Sequence, residues 1–325
     1  ILESMDVLGG SNDGAGSVQQ GFVCRGGRML NEETYENFWE LFRSIPSLEQ
    51  PQRSVTEEIL NFDHAHPTCA HARLIDKDAK ILDVRSMGFD NADRLAMTKL
   101  LLTPEERLDN MTIEDWFGPH FFETNFWYMW QTTFAFQKWS SLFEFRRYMN
   151  RMIFEFPRIE TLEGVTRTPY NQYESVILPL KAYLETNGVR FETGRTVTDI
   201  DFAPGEALTA TALHFSDGCA VDLREGDVCI MTNACMTDSA TLGSLHAPAP
   251  APERKPVSAE LWAKVAAKRP GLGNPEPFFG NVNESNWESF TVTCKGNRLL
   301  KMIENYSGNI PGSGALMTFK DSSWR

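Results

Sequence analysis

The residues best suited to chemistry lie in Gly21-Phe22-Val23-Cys24-Arg25-Gly26-Gly27-Arg28-Met29-Leu30. Adjacent glycines let a backbone turn tightly or lie against a flat ligand with no Cβ in the way. Arginine brings a planar, permanently charged fork that suits phosphate, carboxylate or an aromatic face. Gly26, Gly27 and Arg28 are therefore candidate cofactor contacts, and the same residues equally suit a plain turn with solvated arginines.

Other candidates are scattered. Glu3 follows Ile1-Leu2, which reads as the end of a buried strand. In dinucleotide-binding units an acid at a strand tip accepts hydrogen bonds from ribose hydroxyls. An ordinary strand-end acid looks the same. A glycine-rich loop follows from Gly9-Gly10-Ser11 to Gly16, and no GxGxxG is present. Residues 226–233 read as a buried parallel strand ending in Thr232 and Asn233. Ligands in open α/β sheets sit at such strand ends, so Asn233 is a site candidate, with capping of the next turn as its alternative. Tyr148, next to Arg146-Arg147, can donate a proton from an apolar setting or bond a carbonyl as a core phenol. His64-Ala65-His66 through His71 is the one cluster of metal-type side chains. It lacks a defined four-ligand spacing, and no metal is expected there.

These residues need elements to hold them. Asn31 can cap a helix from Glu32 to Ser44, with Tyr35, Phe38, Trp39 and Phe42 on one face. Residues 50–90 read as irregular strands and a hairpin. From Asn91 to Phe156 the chain is mostly helical, with Thr112 as a cap. The aromatic run from Phe121 to Phe156 reads as core that can also line a pocket for a long apolar ligand. Residues 168–184 form a helix closed near Gly188. Strands follow at 189–192, 196–202, 208–215 and 219–223. A Pro-Ala run at 247–252 precedes a helix over Glu260–Lys268, and another helix lies near Arg298–Glu304.

The 325 residues allow two domains or one large α/β unit. A net charge of −13 argues against nucleic acid as the main partner. The six cysteines form no CxxC pair and fit reduced, cytoplasmic thiols. No apolar run reaches the length of a membrane span. Both ends read as cut, so the chain is expected to be an internal stretch of a longer protein.

Several stretches together carry a family resemblance. They are Ile1-Leu2-Glu3, Gly9-Gly10-Ser11, Arg25-Gly26-Gly27-Arg28, Phe42 to Leu48, Asn125-Phe126-Trp127, Phe143 to Tyr148, Tyr170-Asn171-Gln172-Tyr173 and Asp321 to Trp324. In this order the chain resembles the oleate hydratases, also called myosin-cross-reactive antigens. The resemblance implies a flavoprotein hydro-lyase that adds water to a cis double bond of an unsaturated fatty acid, as in oleate to 10-hydroxystearate. It implies FAD, whose flavin shapes the site and supplies electrostatics without net redox change. It implies an incomplete FAD-binding Rossmann-like domain (1–50 and 171–246) and an inserted, mainly helical substrate lobe (51–170). A second substrate segment would start at 247. Peripheral membrane contact would come through segments outside this stretch.

Residue by residue, the resemblance puts Glu3 on the FAD ribose and Gly10, Ser11 and Arg28 along the flavin. Val197 falls near the adenine, Tyr148 protonates the alkene and Gln172 faces the substrate channel. Most members carry a glutamate, thought to activate the attacking water, where this chain has Met29. A thioether is no base, so altered activity is expected. Two alternatives remain: a flavin-dependent fatty acid oxidoreductase or isomerase, and an inactive fatty acid-binding homologue.

Overall fold

The computed structural model describes every residue except 25–26, 234, 236–238, 245, 252–255, 286 and 322–325. The chain forms two compact units, Ile1–Arg28 with Tyr170–Thr293, and Met29–Pro169 with Cys294–Arg325. Helix and strand are mixed, and the sheets are small.

In the first unit, Gly14–Ser17 and Gly21–Cys24 pair as an antiparallel hairpin with Gly14 opposite Cys24. Gly16 has φ +117°, and a Cβ there would run into the Gly21 carbonyl, so only glycine closes this hairpin. A π-helical turn at Tyr173–Ile177 leads into the helix Leu178–Thr186. Gly188 follows with φ +85° and ends it. The strands Val197–Phe202, Ala210–Phe215 and Ala220–Asp222 form an antiparallel meander. The helix Val257–Lys268 covers it through Leu261 and Val265 against Ile200.

The second unit is mostly helical. Three helices start at capping boxes, in which the first side chain accepts from the backbone three residues on and the third returns the bond. These are Val55–Ala65 after Ser54, Asn91–Leu102 after Asp90, and Ile113–Trp116 after Thr112. Thr124 and Ser141 cap Asn125–Phe134 and Leu142–Arg151. The core is aromatic: Phe121, Phe126, Trp127, Trp130 and Phe145 are fully buried, and Phe117 stacks on Phe121 at 3.8 Å between centroids. Two short pairings complete the unit. Leu30–Asn31 runs antiparallel to Val165–Thr166, and Leu74–Ile75 runs parallel to Thr318–Phe319.

Four sequence expectations are corrected. Residues 50–90 contain the helix Val55–Ala65, set by its capping box. Asn31 does not cap a helix. It is buried in a strand pair, and the helix Glu36–Arg43 begins later, after Tyr35. The aromatic run 121–156 breaks at Ala135, which takes φ +60° before Ser141 restarts a helix. Residues 226–233 form no strand: Val228 and Ile230 are 83% and 81% exposed. A buried parallel strand needs neighbours at its edges and cover on both faces, and no described residue pairs with this stretch.

Candidate active site

Two sets of the expected residues come together, one in each unit. In the first unit Gly9 and Gly10 take φ +116° and +55°, starting a turn that presents Ser11. The Arg28 guanidinium donates to Ser11 Oγ at 3.0 Å. The Arg28 N–H donates to Gln172 Oε1 at 2.7 Å, and Gln172 Nε2 donates back to the Arg28 carbonyl at 2.6 Å. Gly10, Ser11, Arg28 and Gln172, far apart in sequence, thus share one cluster with Gly27. Gly27 is exposed, and among the described residues a Cβ there would meet only the Gln172 side chain, with Oε1 at an ordinary 3.6 Å. Among the described residues, the packing therefore leaves the space over Gly27 open. Gly26 lies outside the described residues. Asn12 Oδ1, in the same turn as Ser11, is buried with no partner among the described residues. An open glycine surface, a guanidinium and an orphaned acceptor fit a flat polar cofactor.

Glu3 sits beside this turn in sequence. Its N–H donates to the Glu192 carbonyl at 2.9 Å, beside the parallel bridge Leu2–Glu192, and its Oε1 accepts from the Met5 N–H at 2.9 Å. Val197 opens the meander and packs against the Ile200–Leu261–Val265 cluster. Asn233 Nδ2 donates to the Ser258 carbonyl at 3.0 Å, so it ties the helix Val257–Lys268 to the chain before it. The Cys24 thiol is pushed up by burial and by the carboxylates of Glu174 and Asp13, which makes it a poor nucleophile.

In the second unit Tyr148 lies on the helix Leu142–Arg151. Its ring meets Phe134 and Phe136 edge-on, at 5.7 and 5.2 Å. It is 39% exposed. The preceding arginines are pinned by Glu105, to Arg146 at 3.1 Å and Arg147 at 3.0 Å. Those pairs, with Arg147 first, hold the Glu105 carboxyl below its ordinary value. Met29 packs on the aromatic cluster to which Phe134 and Phe136 also belong. Tyr148 and Met29 therefore border one aromatic body.

No neighbouring acid takes the place of a carboxylate at position 29 by proximity in sequence. Glu32 pairs with His64 at 3.0 Å and Glu33 with Arg158 at 3.0 Å. The aromatic rings of 121–156 mostly bury one another, so composition there signals core. A cavity of about 560 Å³ is lined by Phe122, Trp127, Tyr128, Gln131, Lys138 and Trp139 among others, and neither Tyr148 nor Met29 lines it. Of the histidine cluster, His71 Nε2 lies 3.7 Å from Cys69 Sγ. Asp90, Asp93 and His120 draw together elsewhere, but the two aspartates form a helix capping box.

The residue that sequence reasoning valued differently is Gln172, whose amide grips the Arg28 main chain. Asn171 and Glu174 brace it, with Asn171 Nδ2 donating to Glu174 Oε2 at 2.8 Å and the Glu174 N–H returning to Asn171 Oδ1 at 3.0 Å. The Asn-x-x-Glu spacing was the available signal for that brace.

The family model of the MCRA family matches residues 1–325. The chain belongs to the MCRA family. It is 43% identical over 312 residues to the linoleate hydratase of Lactiplantibacillus plantarum, covering 92% of this chain and 55% of that protein. It is 33% identical over 336 residues to the oleate hydratase of Streptococcus pyogenes serotype M49 (strain NZ131), covering 100% of this chain and 56% of that protein. The chain spans a little over half the length of these curated relatives. Among the described residues, no helix is long and apolar enough to cross a membrane.

Proposed function

We propose that the protein is an FAD-dependent hydratase that adds water to a cis double bond of an unsaturated, oleate-like fatty acid. The observation that carries this reading is the Tyr148 phenol, framed edge-on by two phenylalanines on the same aromatic body that receives Met29. The hydratase names of the two relatives support it.

The Tyr148 hydroxyl gives its proton to one alkene carbon, and cationic character develops on the other. The oxygen of a water molecule bonds to that centre. The proton it sheds returns to the Tyr148 oxygen, so one water is added and the phenol is restored. Aromatic faces beside the site tolerate the cationic centre. Water attacking such a centre needs little basic help, which is how a methionine at position 29 is compatible with turnover.

Unit Ile1–Arg28 with Tyr170–Thr293 is proposed as part of an FAD-binding Rossmann-like domain. Gly10, Ser11, Gly27 and Arg28 would line the flavin, and Glu3 would take the ribose. Val197 and Asn233 would stand near the rest of the cofactor, and Gly26 is proposed on sequence alone. Bound flavin supplies shape and electrostatics rather than electrons. The mainly helical unit is proposed as the substrate lobe. The six free cysteines suit a cytoplasmic location.

Incubation of the protein with oleate, FAD and ¹⁸O-labelled water tests the reading. Label in a new hydroxyl group is the expected result. Flavin bleaching and reoxidation with each turnover, without label, would instead make the protein an oxidoreductase or isomerase. Oleate that is bound but unchanged would make it a binding homologue.

A further inference from the structure

The fold disperses the histidine run near residue 64. His64 pairs with Glu32, and the His66 ring lies 5.0 Å from that of Phe62. His71 meets a nucleophile instead, with Nε2 at 3.7 Å from Cys69 Sγ. Burial explains the meeting. From Thr68 to His71 exposure alternates: Thr68 and Ala70 are 1% and 2% exposed, and Cys69 and His71 lie outside. In an extended stretch residues two apart share a face, so the thiol and the imidazole stand side by side toward solvent.

The inward residues fix this stretch. Thr68 Oγ1 donates to the Val165 carbonyl and the Ala70 N–H to the Thr161 carbonyl, both at 2.8 Å. Ala72 then takes φ +51°, left-handed for a residue with a Cβ, and the buried Arg73 guanidinium donates to the Ile159 and Leu316 carbonyls. The imidazole has a wall as well. A Cβ on Gly308 would lie 4.0 Å from His71 Cγ and Cδ2. Asn309, 5% exposed, accepts from the His71 N–H at 2.5 Å through Oδ1. Its Nδ2 is buried with no partner among the described residues. An orphaned donor beside a Cys–His pair points to an acceptor on an incoming group. A cavity of about 290 Å³ opens beside His71, lined also by Arg73, Leu82, Arg85 and Thr161 among others.

We propose that Cys69 is a reactive nucleophile, with His71 as its base, that takes α,β-unsaturated carbonyl compounds. With its own proton on Nδ1, the imidazole presents Nε2 to the thiol as an acceptor. Sγ bonds to the β-carbon of the electrophile, the thiol proton passes to Nε2, and the π pair of the C=C bond moves to the α-carbon. Nε2 then gives the proton to the α-carbon. The product is a thioether, and nothing is oxidised or reduced. The role needs neither flavin nor fatty acid and stands apart from the hydratase reading.

Acrylamide, a small α,β-unsaturated amide, tests this on the whole protein, with alkylation at each cysteine counted by peptide mass spectrometry. Cys219 and Cys294 are also exposed and act as internal standards. At about pH 7 an ordinary thiol is only a few per cent thiolate, which leaves room for about a tenfold advantage where a base takes the proton. Cys69 should show that advantage over both standards. His71→Ala should bring Cys69 down to their rate and leave theirs unchanged. Added imidazole should restore part of the loss, which a merely structural role of His71 would not allow. His71→Gln keeps a polar side chain without a base and should match His71→Ala. Should His71→Ala fail to fold, the wild-type ratio and His71→Gln decide.

Alkylation of Cys69 no faster than of Cys219 and Cys294 would overturn the proposal. So would a His71 variant that keeps the full Cys69 rate. A loss in folded His71→Ala that imidazole does not relieve would overturn the assignment of His71 as the base.

Discussion

Glu155 and Arg158 meet at 2.7 Å, with Glu155 only 1% exposed. Arg158 also pairs with Glu33, and Asn31 Nδ2 donates to Glu155 Oε1 at 3.4 Å and to the Gly164 carbonyl at 3.1 Å. The stretch just after Met29 is thus tied to residues 155–164 through buried charge. Gly164 closes this knot, since a Cβ there would overlap both Glu155 Oε1 and Arg158 Nη2. Gly164→Ala is expected to destabilise the protein by about 2 kcal/mol, typical of overpacking where neighbours cannot move. Chemical denaturation checks this, and an unperturbed midpoint would mean the ion pair re-forms around the methyl.

Burial raises the Glu155 carboxyl above its ordinary value, against the opposing pull of Arg158. A raised folded value means that the folded state holds its proton more tightly than the unfolded state does. Between the ordinary and the raised value the native form binds more protons, so this group's contribution to stability falls as pH rises. Glu155→Gln cannot titrate. The wild type should therefore gain stability relative to Glu155→Gln as pH falls from 7 toward the ordinary carboxylate range. Paired denaturation curves across that range measure it, and a constant difference would remove Glu155 as the source.

Much of the helical unit was legible where local chemistry decides structure. Thr112 and the helix at 91–102 announce themselves by a cap and an apolar period. The helix Val55–Ala65 carried the same signal, Ser54-x-x-Glu57, but flanking prolines and histidines masked it. Asn31 read as a cap because Asn types favour caps, yet its pairing with Val165 is a long-range event that no window of sequence contains. The strand expected at 226–233 failed for a related reason: an apolar run states that a segment can be buried, not what buries it. Among site residues, the family resemblance put Ser11 and Arg28 together along the flavin but Gln172 on the substrate channel, and the Gln172–Arg28 bonds depend on folding across 144 residues. Tyr148 was legible as a type and a place, but its edge-on frame comes from Phe134 and Phe136 on either side of a helix break at Ala135 that the aromatic run concealed.

The concealed capping box gives a direct check. Ser54 accepts from the Glu57 N–H at 3.1 Å, and Glu57 accepts from the Ser54 N–H at 2.8 Å. Ser54→Ala should cost about 1 kcal/mol, the usual worth of an N-cap. Ser54→Asp should retain most of the stability. Equal losses in both variants would mean that the bridge between Pro46 and Ser54, not the cap, matters at this position.

Met29 raises the question of whether its sulfur takes part in chemistry or only packs. It lies on the aromatic cluster, where a thioether fills space and makes soft contacts with rings. Leucine has nearly the same volume and no lone pair. Met29→Leu should change stability by no more than about 1.5 kcal/mol and leave turnover within about threefold. A loss of turnover far beyond this, with normal stability, would assign the sulfur a direct role that packing does not explain.

Tyr148→Phe isolates a single oxygen. The ring keeps its edge-on contacts with Phe134 and Phe136, and the arginines before it stay on Glu105, so fold and FAD binding should be unchanged. If the phenol protonates the alkene, turnover should fall by about a hundredfold or more, the usual scale for removal of a general acid. The loss should appear in kcat, with KM nearly constant, because the hydroxyl acts on the transition state and adds little to binding of an apolar chain. A fall confined to KM would place the hydroxyl in substrate binding instead. Full activity would exclude Tyr148 as the proton donor and would direct the search for an acid to residues outside this aromatic frame.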